Sequence, residues 1–101
     1  MYGLIGKMIA TPGQRDALIA IILSGEADMP GCLSYIVAKD LDDADAIWIT
    51  EVWEDQASHA ASLQLPAVQE AIAQAKPLIA DFGDSIVTLP IGGHGLVRSE
   101  Y

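Results

Sequence analysis

The residues best equipped for chemistry gather around one stretch of the chain. Glu51 and Trp53 stand two positions apart, His59 follows the tryptophan by six residues, and Tyr35 and Trp48 lie upstream. On an extended segment Glu51 and Trp53 share one face, and Trp48 takes the other. A carboxylate, an imidazole and a phenol around a pocket can remove a proton from a bound molecule and steady the anion that forms. This reading makes Trp53 a pocket wall and His59 the candidate base. Tyr35 and Glu51 become hydrogen-bonding partners of the ligand, and Trp48 a further ligand-binding residue. Each has a plainer reading beside it: core packing for the tryptophans, a surface histidine on a helix, and an ion pair for Glu51.

Other chemistries are poorly supplied. Counting Asp40 as the first residue of a calcium loop puts Glu51 where a bidentate ligand belongs, but Asp45 occupies the position that needs glycine. The acidic run Asp40, Asp42, Asp43, Asp45 therefore reads as a solvated hairpin tip. His59 and His94 lie on different elements, Cys32 is the only cysteine, and neither a metal site nor a disulfide is expected. The glycines around His94 precede no helix and do not read as a phosphate loop. No Gly-x-Ser-x-Gly elbow is present.

The chain has 101 residues, 51% hydrophobic and 19% charged, with 5 basic against 14 acidic residues and a net charge of −9. That balance excludes a nucleic-acid binder and gives no attraction to an anionic membrane. With no signal peptide and no long apolar run, a cytoplasmic protein is expected. The length predicts one domain over residues 1–101, with a core at about 3–90 and a glycine-rich tail at 91–101. Mean hydropathy of +0.33 is high for so short a chain, and a second copy is the simplest cover for the excess apolar surface.

The elements that must position the cluster follow from periodicity. Strands are predicted at 3–10, 32–39, 46–54 and within 78–89, with helices at about 12–24, 55–63 and 66–75. Thr11 reads as the N-cap of the first helix, with Pro12 at its first position, and Asp55 as the cap of the second. Ile19 and Leu23 widen the apolar face of the first helix, so burial on more than one side is expected. The order strand, helix, strand, strand, helix, strand predicts a ferredoxin-like α+β fold, a βαββαβ sandwich. The middle strands carry apolar residues on both faces: Leu33, Tyr35 and Val37 one way, and Cys32, Ile36 and Ala38 the other. The helices of such a fold cover one face, and a second copy's sheet packed face to face would cover the other.

At Glu51-Val52-Trp53-Glu54-Asp55, followed by a helix and Pro66, the sequence resembles the antibiotic biosynthesis monooxygenase-like (ABM) domain family. The likeness runs over residues 3–90 and includes Pro12-Gly13, Pro30-Gly31-Cys32 and Ala75-Lys76-Pro77-Leu78. It implies a dimeric α+β barrel, with two ferredoxin-like sheets face to face. It also implies a cofactor-independent monooxygenase acting on a small aromatic, quinol or polyphenol with dioxygen. Other members degrade haem or act on small metabolites. The family's strand-end tryptophan matches Trp53. His59 stands where the polyketide-oxidising branch has an aromatic hydroxyl residue, and Ile49 where that branch has an asparagine. The chain contains no asparagine at all, which speaks against haem degradation. Ser62 and Ala67 occupy positions where the quinol-oxidising branch carries histidines. The resemblance thus implies a homodimer with a small aromatic ligand, and the alternative is a non-catalytic binding or interaction module on the same dimer.

Overall fold

The computed structural model describes residues 1–25 and 29–96. Four strands, β1 (Tyr2–Ala10), β2 (Cys32–Lys39), β3 (Ala46–Trp53) and β4 (Ile79–Thr88), form one antiparallel sheet in the order β2-β3-β1-β4. Helix α1 (Arg15–Ser24) links β1 to β2. Helices α2 (Gln56–Ser62) and α3 (Pro66–Ala75) link β3 to β4, with a 3-10 turn at Lys76–Leu78. This is the ferredoxin-like fold, its second helical layer broken in two where Pro66 starts α3. Among the described residues no helix is long and apolar enough to cross a membrane.

Register sorts the side chains by face. Glu51 pairs with Leu4 and Tyr35, Ile49 with Gly6 and Val37, and Ile47 with Met8 and Lys39. Directly paired residues share a face, and the helices cover this one. Its core joins Ala10, Leu18, Ile47, Ile49 and Ala75, with Tyr35 and Val37 packed against them. On the other face, Ile36, Thr50, Ile5 and Ile86 make one row across all four strands. Ile36 and Ile86 are more than half exposed there, so the two-sided apolar pattern of the middle strands is real.

Three local expectations are corrected. The N-cap of α1 is Gln14, not Thr11, and no side chain caps it. Gly13 takes φ +79°, and Thr11 O accepts the Gln14 N–H at 3.0 Å, so a separate turn absorbs Thr11 and Pro12 before the helix starts. Leu23 is 45% exposed, whereas Ile19 packs half-buried against the core beside Leu18, Ile21 and Ile22, so only one of the two residues widens the buried face of α1. A register shift between Cys32 and Ser34 sets Cys32 opposite Trp53, which breaks the simple alternation read for β2. Of the tail, the part beyond residue 96 lies outside the described residues.

The acidic hairpin tip is built as read. Asp40 Oδ1 accepts the backbone N–H groups of Asp42 and Asp43, and Asp43 Oδ1 accepts that of Asp45. These bonds satisfy the turn internally. Arg15, in the first turn of α1, donates through Nη1 to the carbonyls of Asp40, Asp43 and Ala46, clipping the helix to the hairpin.

Candidate functional site

The position of His59 is set by how α2 begins. Asp55 is the N-cap, extended at φ −157°, and its Oδ1 accepts the Ser58 N–H at 2.7 Å. That bond satisfies one of the donors that every helix start leaves open and draws the Asp55 carboxyl below its ordinary value. Just before β2, Gly31 sits at φ +83°, and its carbonyl accepts the Glu54 N–H at 2.8 Å. A Cβ at Gly31 would run into the Ser58 side chain, so glycine serves both the turn and the close approach of α2. At the other end of α2, the buried Ser62 donates its hydroxyl to the His59 carbonyl at 2.6 Å.

This seating brings three of the sequence-predicted residues together. Trp53, 1% exposed, donates its indole N–H to Glu51 Oε1 at 3.0 Å. His59 Nε2 lies 4.0 Å from the same oxygen. The imidazole also meets the Trp53 ring edge-on, with centroids 5.4 Å apart. Burial pushes the Glu51 carboxyl above its ordinary value, against the opposing pull of the Trp53 hydrogen bond and of His59. A carboxyl group whose proton is held more firmly than usual is a stronger base once ionised. Tyr35 is the direct cross-strand partner of Glu51.

Two cavities open beside this cluster on the helix-covered face. The larger, about 490 Å³, lies between the sheet and helices α1 and α3, with Ile22, Ala71 and Ile72 on the helical side and Tyr35, Ile49 and Phe82 on the sheet side. The smaller, about 170 Å³, is lined by Leu4, Gly6, Glu51 and Ser85 among others. They share Met8, Ile49 and Phe82 as common walls. Tyr35 reaches the larger and Glu51 the smaller. Trp53 and His59 line neither: they stand behind Glu51, Trp53 fixing its carboxylate and His59 beside it. Trp53 walls neither of these two cavities: its ring is packed away and its N–H is committed to Glu51.

Trp48 is not brought into the cluster. It lies on the opposite sheet face, donating its indole N–H to Asp40 Oδ2 at 2.7 Å beneath the Lys7 ammonium, 5.6 Å from the ring centroid. The Trp48 bond first, then the backbone N–H groups of Asp43 and Asp42, and least the Lys7 charge, hold the Asp40 carboxyl down at about 2. The sequence reading missed Tyr2, whose ring is 5.7 Å from that of His59. It also missed Lys76 and the α1 and α3 residues on the wall of the larger cavity. Tyr2 pairs with Trp53 in the sheet, and that register is what no single-strand pattern shows.

The antibiotic biosynthesis monooxygenase family model matches residues 1–74. A crystal structure from Chloroflexus aurantiacus J-10-fl, assigned by name to the same monooxygenases, is 64% identical to this chain. The alignment covers 95% of this chain and 98% of that one, with a TM-score of 0.93. A Deinococcus radiodurans structure of the same designation is 25% identical, covering 92% and 95% with a TM-score of 0.75. One from Nitrosomonas europaea, 14% identical over 93% and 99%, shares the fold at a TM-score of 0.77. Comparison with curated proteins found no match. The family match takes in β1 through almost all of α3, including Glu51, Trp53 and His59, and on that extent the chain belongs to the antibiotic biosynthesis monooxygenase family.

Proposed function

We propose that the protein is a cytoplasmic, homodimeric monooxygenase that oxidises a small aromatic, quinol or polyphenol substrate with dioxygen and no added cofactor. The observation that carries this reading is the half-buried, partly desolvated Glu51 carboxylate, which lines the smaller cavity while Trp53 and His59 stand behind it. A flat apolar ring fits between the sheet and helices α1 and α3, where Ile49, Ile72 and Phe82 remove water from it. Its hydroxyl faces Glu51, with Tyr35 as a neighbouring hydrogen-bonding group.

Proton removal is then shared by the Glu51–His59 pair. Glu51 is the member at the cavity wall, and His59 stabilises its charge and relays the proton outward. The deprotonated ring is electron-rich enough to reduce dioxygen itself. One oxygen atom bonds to a ring carbon, which gives up its hydrogen. That hydrogen and the proton from the substrate hydroxyl leave with the other oxygen as water, and the ring, having supplied all the electrons, ends as a quinone. The protein's part is to bind, orient, deprotonate and exclude bulk water.

The test is dioxygen uptake by the metal-stripped protein with a panel of hydroquinones and polyphenols. Saturable uptake that falls by roughly 100- to 10,000-fold in both Glu51→Gln and His59→Ala supports the reading. Uptake unchanged in either variant removes that residue from the role. A second reading, a module that holds an apolar ligand without turning it over, is favoured by Ile49 on the cavity wall of a chain without asparagine. Binding without uptake across the panel would establish it.

A further inference from the structure

The charge on the described lining of the larger cavity is opposite in sign to that of the whole molecule. Acidic residues outnumber basic ones 14 to 5, yet the described lining holds no acidic side chain and one basic one, Lys76. Apart from Lys76, the only other polar side chain on that lining is Tyr35. The remaining described basic residues are already engaged. Lys7 lies 4.0 Å from Asp40 and over Trp48, Lys39 lies 3.0 Å from Asp16, and Arg15 bonds three backbone carbonyls. Among the described residues, Lys76 has no acidic partner.

Its position relative to Glu51 also matters. Lys76 opens the 3-10 turn that leads into β4, and that turn is fixed to the far end of β1: Leu78 O accepts the Thr11 N–H at 2.8 Å, and Ile79 pairs with Ala10. Glu51 pairs with Leu4, near the other end of β1. Leu4 to Ala10 spans roughly 20 Å at about 3.3 Å per residue, before the reach of the two side chains is taken off. The smaller cavity therefore carries a proton acceptor, Glu51, with Lys7 of its wall engaged by Asp40, and the adjoining larger one carries Lys76, with Met8, Ile49 and Phe82 on the wall of both.

We infer that Lys76 recognises an anionic group, such as a carboxylate, on the substrate, at the end remote from the hydroxyl that Glu51 deprotonates. The inference deepens the proposed function and rests on it for the hydroxyl end only. The ligand it selects is an elongated hydroxyaryl carboxylate. A neutral aromatic of the same shape forgoes the Lys76 contact.

The experiment uses a fluorescent hydroxyanthracene carboxylate, with its two groups at opposite ends, and the matching carboxamide, titrated into the full-length protein. The carboxylate is expected to bind roughly tenfold more tightly, since a charge-assisted hydrogen bond at a partly exposed site is worth about that factor. The preference should shrink as salt rises. It should vanish in Lys76→Gln with carboxamide binding unchanged, and persist in Lys76→Arg. Equal affinity in the native protein, or a preference that survives Lys76→Gln, overturns the inference. Dioxygen uptake is read separately. Uptake of neutral hydroquinones with no carboxylate preference sinks this inference alone, while a carboxylate preference without uptake sinks the oxygenase reading alone.

Discussion

In the proposed mechanism Glu51 concentrates the chemistry of the site in one carboxyl group, and its response to pH is its clearest signature. Burial raises its folded-state value above the ordinary 4.5, so the folded protein keeps that proton to a higher pH than the unfolded chain does. Across the window from about 4.5 up to the folded value, unfolding releases a proton, and rising pH lowers the stability of the native protein. Glu51→Gln keeps an oxygen for the Trp53 N–H and has nothing to titrate. Its melting temperature should therefore gain on the native protein as pH climbs through that window, and the gap should be smallest below it. Melts of both proteins between about pH 4 and pH 8 decide this; a gap that does not change with pH would mean Glu51 is no more desolvated than a surface glutamate. Asp40 behaves in the opposite sense. Its value is lowered to about 2, first by the Trp48 hydrogen bond, so its contribution is present above the ordinary 3.8 and lost as pH falls toward 2. Asp40→Asn should lower the melting temperature at neutral pH, with the deficit closing in acid. The pairing of Glu51 with Trp53 was legible from two-residue periodicity alone. Tyr2 and Lys76 were not, because one enters through the β1–β3 register and the other through the packing of α3 on the sheet, and neither is a local property of the chain.

At the scale of elements, α2 is the vulnerable piece, seven residues long and held at one end by a single cap. Helices this short draw their stability from caps and tertiary contacts more than from propensity. Asp55→Ala removes the cap and should lower the melting temperature by a few degrees in a domain of this size. Gly31→Ala should act on the same element from outside. It combines roughly 1–2 kcal/mol of left-handed backbone strain with a side-chain collision at Ser58. Amide exchange would show faster opening of α2 than of β3 in both variants. Uniform loss of protection over the whole sheet would show instead that α2 does not open on its own. The bounds of β2 and α3 followed from pattern and from Pro66, and the Asp55 cap followed from residue type. The start of α1 did not, because Thr11 and Pro12 are as good in a tight turn as at a helix start. The Cys32–Ser34 irregularity in β2 also left no mark, since a bulge is set by the partner strand.

At the scale of the whole molecule, the outstanding feature is the sheet face that no helix covers. Its row of Ile36, Thr50, Ile5 and Ile86 crosses every strand, with Ile36 and Ile86 more than half exposed. An apolar sheet face of this breadth is what a second copy would cover in the proposed homodimer, and a stable contact of that kind buries about 1,600 Å² in total. Charge opposes the association, because each copy carries −9. Repulsion between like-charged copies is screened by salt, whereas apolar burial is not. The dimer should therefore tighten as ionic strength rises, the reverse of what an interface built on ion pairs would do. Ile36→Asp places a charge in the middle of the row and should yield monomer or aggregate, since an unpaired carboxylate buried there costs several kcal/mol or must remain wet. Light scattering with size exclusion at low and high salt separates the cases. A native protein that is monomeric and well behaved at every concentration would mean that the exposed row is tolerated bare, and that the pocket on the helix face works in a single copy.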